Sequence, residues 1–309
     1  MRVVDVPPWL LRAFAIAFGL CIGSFLNVVI ARMPREESIA HPASHCVCGK
    51  PIAPRDNIPI LSWLLLRGRA RCCGAPISFR YPVVELIGGL LAWAVLEVFV
   101  LAMPPDTPLL PTAMRALADL SIAYGLLAAA FIDLDHMYLP DEITYGGTVL
   151  AVATCGLRPE IGIADSLIGL AVGGLGIYLP FIALYKLVRG KQGMGLGDAK
   201  LQMLIGAWFG WPGVLFTLFA GSIQGTIAAL ITFARHGKIE EPEAVTRERE
   251  EAIAAGEPLD PEDDPVALPP EEGLGGARVP FGPFLILGAL EYLLFGRFLV
   301  AKWAGFLVP

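Results

Sequence analysis

What most constrains this chain is the recurrence of apolar stretches long enough to cross a bilayer. Crossing about 30 Å of hydrocarbon takes roughly 20 mostly apolar residues. Eight stretches qualify or come close: Trp9–Ala31, Tyr81–Met103, Met114–Ile132, Ile143–Leu157, Ala164–Leu187, Ala199–Trp211, Pro212–Ala234 and Phe281–Leu307. Backbone in hydrocarbon must satisfy its own hydrogen bonds, so the expected fold is an all-α polytopic membrane protein with about eight transmembrane helices. The fourth and sixth stretches are short, which suits tilted or half-inserted helices. Composition agrees, since 55% of the 309 residues are hydrophobic and 17% charged, against about a quarter charged in soluble domains. The first stretch holds Ser24 and Asn27 with no small-residue cleavage site after it, so it is expected to be retained and not cut as a signal peptide.

Charge divides the chain further. Between His236 and Pro280 there are 13 acidic and 4 basic residues, whereas the remainder holds 16 acidic and 19 basic. The net charge of −6 therefore comes from one polar insertion, and no basic face suited to nucleic acid exists. The segments expected are a first transmembrane helix (1–32), a cysteine-containing loop domain (33–80), a transmembrane core (81–235), an acidic insertion without fixed structure (236–280) and a last helix (281–309). Excess Lys and Arg mark the cytoplasmic side of short loops. The loop after the first stretch holds Arg32, Arg35, Lys50, Arg55, Arg67, Arg69, Arg71 and Arg80, and the loop after the second holds Asp106 and no basic residue. That asymmetry predicts a cytoplasmic loop domain and an N-terminus on the other side.

Ionisable groups inside spans are costly and by default functional. Two motifs stand at stretch ends: Ile132-Asp133-Leu134-Asp135-His136, and Gly193-Met194-Gly195-Leu196-Gly197-Asp198. The predicted topology puts both at the cytoplasmic face, although 65 positions separate Asp133 from Asp198. Two carboxylates close together in a low dielectric share a proton, which is the chemistry of an aspartic protease: one draws a proton from water while the other polarises the carbonyl under attack. Two other readings stand beside it. The aspartates can be interfacial helix caps, or the proton relay of an ion- or proton-coupled transporter with a broken helix. Against a transporter, no inverted repeat is visible and the carboxylates lie near one interface.

Six stretches carry a resemblance to bacterial type IV prepilin peptidases: Gly23-Ser24-Phe25-Leu26-Asn27, Asp56-Asn57-Ile58-Pro59, Arg80-Tyr81-Pro82-Val83-Val84-Glu85, the two aspartate motifs, and Pro280-Phe281-Gly282-Pro283-Phe284. The resemblance implies an aspartic endopeptidase of the bacterial inner membrane. Its active site would face the cytoplasm and remove basic leaders from prepilins or type II secretion pseudopilins. It also implies S-adenosylmethionine-dependent methylation of the new N-terminus. On the matching positions Asp133 and Asp198 are the catalytic pair, with Asp135 the competitor for the first role and Asp141 a cap for the fourth helix. Gly23, Asn27 and Glu85, with the Asp56-Asn57 turn, are the candidates for methyl transfer. For Glu85 capping of the helix after Pro82 is the alternative.

The loop domain departs from the family in its cysteines. Structural zinc is usually held by two Cys-x-x-Cys turns, a pattern the family often shows here. This chain has Cys46-Val47-Cys48 and an adjacent Cys72-Cys73, with Ala70 where a cysteine would be expected. Splayed turns would still let these four hold zinc, with His45 a substitute ligand; the other reading is a loop folded without metal. Cys21 and Cys155 lie in apolar stretches and read as filler.

Overall fold

The protein is described here from a computed structural model covering residues 2–189, 193–236, 242–255 and 280–307. These residues are helical apart from turns and isolated bridges. In chain order they form α1 (Pro8–Arg32), the short α2 (Leu61–Leu65), α3 (Arg80–Leu96), α4 (Leu109–His136), α5 (Asp141–Ala153), α6 (Ile163–Ile177), α7 (Tyr185–Arg189), α8 (Leu196–His236), α9 (Glu243–Ala255) and α10 (Gly282–Leu307). Wider π-helical turns extend α3 to Leu101 and α6 to Leu184. Among the described residues five helical segments are long and apolar enough to span a bilayer: Pro8–Arg35, Arg80–Leu101, Leu109–His136, Ile163–Arg189 and Leu196–Arg235. The protein is polytopic, and its contacts group into two units, Met1–Ala128 and Ala129–Pro309.

In the first unit α1 and α3 approach through small residues. A Cβ at Gly19 would lie 2.5 Å from the Gly88 carbonyl oxygen, and one at Gly23 would lie 2.7 Å from Glu85 Cα. Such pairs one turn apart let helix backbones touch in lipid, where packing, not water expulsion, drives association. The second unit repeats the device. A Cβ at Gly169 would lie 2.1 Å from the Gly206 oxygen, and one at Gly173 would lie 1.9 Å from the Gln202 oxygen, so α6 and α8 meet backbone to backbone.

The shorter stretches behave as their lengths suggested, and one expectation, that of an unstructured acidic insertion, changes. The fourth stretch yields α5, only 13 residues and about 20 Å long, too short to cross alone. The sixth and seventh stretches are the two helical halves of α8, which part at Gly210 (φ 73°, ψ −179°) just before Pro212, where the two stretches divide. Pro212 has no N–H to give the Trp208 carbonyl. Arg158 takes that carbonyl, also donates to the Ala151 oxygen, and lies 4.2 Å over the Trp208 ring; Ser166 Oγ donates to the neighbouring Ala207 oxygen at 2.7 Å. Finally, part of the acidic insertion expected to lack structure is helical. Within α9, Arg247 and Glu251 pair one turn apart at 3.8 Å, Val245 is buried, and Glu248 Oε1 lies 2.8 Å from His136 Nδ1 at the end of α4. The rest of that insertion, 237–241 and 256–279, lies outside the described residues.

Candidate active site

α4 ends because Met137 adopts a left-handed conformation (φ 54°) while its N–H still bonds to the Asp133 oxygen at 3.0 Å. Asp133 therefore occupies the last turn, 5% exposed, and its Oδ2 is buried with no hydrogen-bond partner. Asp198 stands in the first turn of α8, half-buried, its N–H bonded to the Gly195 oxygen at 3.2 Å. Leu139 lies against both Gly197, the residue before Asp198, and Gly282, which abuts Asp133 Oδ2, so the fold brings to one junction of helix ends residues the sequence holds 65 positions apart.

Two glycines and a leucine shape this junction. A Cβ at Gly282, the first residue of α10, would lie 2.6 Å from Asp133 Oδ2, so no side chain fits there without displacing the carboxylate. Leu139 packs against both Gly282 and Gly197, its side chain 3.3 and 3.4 Å from where their Cβ atoms would be. Gly282 belongs to a stretch singled out in the sequence, but its role against Asp133 was not legible there, and Leu139 gave no signal. Asp135, one residue pair further on, is less buried than Asp133. Asp141 departs from expectation. It makes no capping bond and instead accepts from Lys200 Nζ at 2.7 Å, since it lies inside the first turn of α5, past the cap position.

The first unit holds a separate cavity of about 790 Å³, lined by Asn27, Asp56, Asn57, Trp63, Tyr81 and Glu85 among others. Asn27 Nδ2 donates to the Tyr81 oxygen at 3.2 Å, and Glu85 Oε2 accepts the Ile60 N–H at 2.6 Å. That second bond holds Ile60 at φ 60°, a region a β-branched residue avoids. Glu85 thus ties the strained turn that opens α2 to α3 and does not cap α3 itself. Gly23 stands outside the lining, in the α1–α3 seam, because its lack of a Cβ serves helix approach. Arg71 forks onto Asp56, with Nη2 to Oδ1 at 2.8 Å, and holds that carboxyl below its usual range.

The four loop cysteines converge despite their spacing. Cys46 and Cys73 sulfurs are 3.5 Å apart, Cys48 and Cys72 sulfurs 3.4 Å, and all four lie within 4.8 Å of one another. Left-handed Gly49 (φ 80°) and Gly74 (φ 73°) fold each pair back on itself. A tetrahedral zinc with bonds of about 2.3 Å spaces its sulfurs about 3.8 Å apart, so the donor set fits that ion. The Cys48 backbone N–H, together with the Cys72 and Cys73 thiols, draws the Cys46 thiol down to about 7, while hydrogen bonding to Cys46 and Cys48 pushes Cys72 up to about 12. His45 is not part of the group; its Nδ1 lies 3.3 Å from the Ala43 oxygen.

Residues 17–99 match the bacterial peptidase A24 N-terminal domain and residues 120–230 the type IV leader peptidase family. The chain is 34% identical to the prepilin leader peptidase/N-methyltransferase of Myxococcus xanthus, over 94% of this chain and 92% of that protein. It is 36% identical to the protein of the same name from Aeromonas hydrophila, over 72% and 81%, and 39% identical to that of Klebsiella pneumoniae, over 70% and 92%. No solved structure matches it. Nothing among these relatives supports the transporter alternative.

Proposed function

The chain belongs to the type IV leader peptidase family, and on that premise we propose that it cleaves basic leaders from prepilins or secretion pseudopilins at the cytoplasmic face of the bacterial inner membrane. The observation that supports this reading is that Leu139 packs against both Gly197, beside Asp198, and Gly282, beside the buried Asp133 carboxylate. One carboxylate, ionised, takes a proton from water as the water oxygen bonds to the scissile carbonyl carbon. The other, protonated, gives its proton to the carbonyl oxygen. Collapse of the tetrahedral species breaks the C–N bond, and the amine leaves with a proton from the pair. The neighbouring Gly195, whose Cβ would lie 3.4 Å from Asp198 Oδ2, leaves that carboxylate open to a substrate backbone. The test is incubation of the full chain with a prepilin and mass measurement of the product; an uncut prepilin would sink the reading.

The relatives' names carry a second activity, methylation of the new N-terminus. The 790 Å³ cavity of the first unit falls in the range of about 300–1,000 Å³ usual for ligands of this size. Asn57, Trp63 and Glu85 would hold S-adenosylmethionine there, which supplies an electrophilic methyl group. Glu85 suits the acceptance of a proton from the attacking amine. Glu85→Gln keeps an acceptor for the Ile60 N–H but loses the basic oxygen. Cleavage is therefore expected to be unchanged, while the fraction of product one methyl group heavier falls about 100-fold. Undiminished methylation would leave Glu85 with its anchoring task alone.

We also assign zinc to Cys46, Cys48, Cys72 and Cys73, on the fit of their sulfur spacing to a tetrahedral ion. Metal analysis of the purified full chain is expected to give close to one zinc per chain, lost in Cys46→Ser and Cys73→Ser. A wild-type content near zero would retire the site.

A further inference from the structure

Between the end of α1 and the start of α3 the chain leaves the membrane and returns, and one edge of the intervening loop domain is strongly apolar. α2 exposes Leu61 (48%), Leu64 (58%) and Leu65 (73%), and Phe79, which directly precedes α3, is 65% exposed. Spacings of three and four residues put the leucines on one helical face. That face is fixed beside the point where α3 enters the bilayer. Trp63 Nε1 donates to the Ile77 oxygen at 3.0 Å, and the Trp63 ring meets the Phe79 ring edge-on at 5.5 Å between centroids. Phe79 lies at the depth of a span's end, and Trp63 holds the leucines next to it.

Basic residues follow the same helix. Arg67 and Arg69 are both exposed and follow α2 directly, whereas Arg71 is engaged by Asp56. Apolar side chains bordered by cations are the composition of an interfacial anchor, which buries its apolar face about 5–10 Å into the headgroup and acyl boundary while its cations meet anionic headgroups. A solvated patch of three leucines and a phenylalanine would be costly in a monomer. A protein partner would not account for Phe79 standing at the mouth of a span.

We propose that Leu61, Leu64, Leu65 and Phe79, with Arg67 and Arg69, dock the loop domain onto the anionic leaflet into which α3 inserts. The anchor has a consequence for the cavity, because Trp63 and Leu66 of the same turn line it: lipid contact on one side of α2 fixes a wall of the cavity on the other. The inference rests on the membrane spans and not on peptide cleavage, so each can fail alone.

The test uses the full chain in lipid nanodiscs, with an environment-sensitive fluorescent amino acid replacing Leu65 and, in a second preparation, Val47, which is 89% exposed on the cysteine turn. In discs containing phosphatidylglycerol and lipids brominated high on the acyl chain, emission at position 65 is expected to fall by roughly half or more, as burial to about 5–10 Å requires, with little loss at position 47. Arg67→Gln with Arg69→Gln is expected to bring quenching at 65 down toward the level at 47. Equal quenching at the two positions, or quenching at 65 indifferent to the arginines, would overturn the assignment. Both labelled positions are exposed in the fold, so neither label disturbs packing.

Discussion

Asp133→Asn and Asp198→Asn are each expected to abolish leader cleavage while the protein still accumulates in the membrane. The substitution is nearly isosteric and keeps an oxygen able to accept a hydrogen bond, so the fold has little reason to respond. The chemistry has every reason to, because a carboxamide neither accepts a proton from water nor returns one to the leaving amine. A positioned acid or base contributes about 10²- to 10⁴-fold, and here each member must do both in turn, so a loss of about 10³-fold or more is expected in the rate of cleavage followed by mass measurement. Asp135→Asn, at a more exposed position, is expected to retain most activity. Full activity in either Asp133→Asn or Asp198→Asn would remove the dyad, and an equal loss at Asp135 would transfer the first role to it.

Gly173→Ala is expected to rank with Gly206→Ala among the most destabilising single methyl additions at the described glycines. The new Cβ would sit 1.9 Å from the Gln202 oxygen and 2.5 Å from its carbonyl carbon. These are backbone atoms of α8, with no flexible side chain to swing aside. α6 and α8 would have to separate along the seam that also includes Gly169 and Gly206. Overpacking costs typically about 1–3 kcal/mol and more where the backbone cannot yield, so a cost at or above the top of that range is expected in denaturation by sodium dodecyl sulfate. Gly176→Ala, three residues along the same helix, is the control. Its Cβ would meet only Val172 at 3.9 Å, and the reduced freedom of the unfolded chain predicts a gain of about 0.4–1 kcal/mol. Equal responses at the two positions would mean that helix propensity, not interhelical contact, governs this seam.

Much of the architecture was legible because hydropathy is a local property. An apolar run declares a span whatever surrounds it, and α1, α3, α4, α6 and α8 lie where apolar runs were read. Asp133 and Asp198 stood out for a related reason, since carboxylates at the ends of apolar runs are rare. The seams were legible in principle, because Gly19 and Gly23, Gly169 and Gly173, and Gly206 and Gly210 each repeat at four-residue spacing, although a spacing alone does not say which helix it faces. The shortness of α5 was legible, but its end was placed late because Thr154 to Leu157 is apolar enough to extend a hydropathy window and forms a separate 3-10 turn.

The sequence by itself determined that the chain crosses a membrane, which residues are candidates for chemistry, and where cysteine spacing departs from the usual zinc pattern. Only the tertiary structure decided which of those residues meet. It set Gly282 against Asp133, turned Glu85 onto the strained Ile60, moved Asp141 from a cap to a partner of Lys200, and gathered four cysteines that their spacing kept apart. The physical reason is range. Hydropathy and residue chemistry act over a few neighbours and can be read one stretch at a time. A junction of helix ends depends on backbone contacts and left-handed turns whose effect is felt many residues away, after the helices have packed.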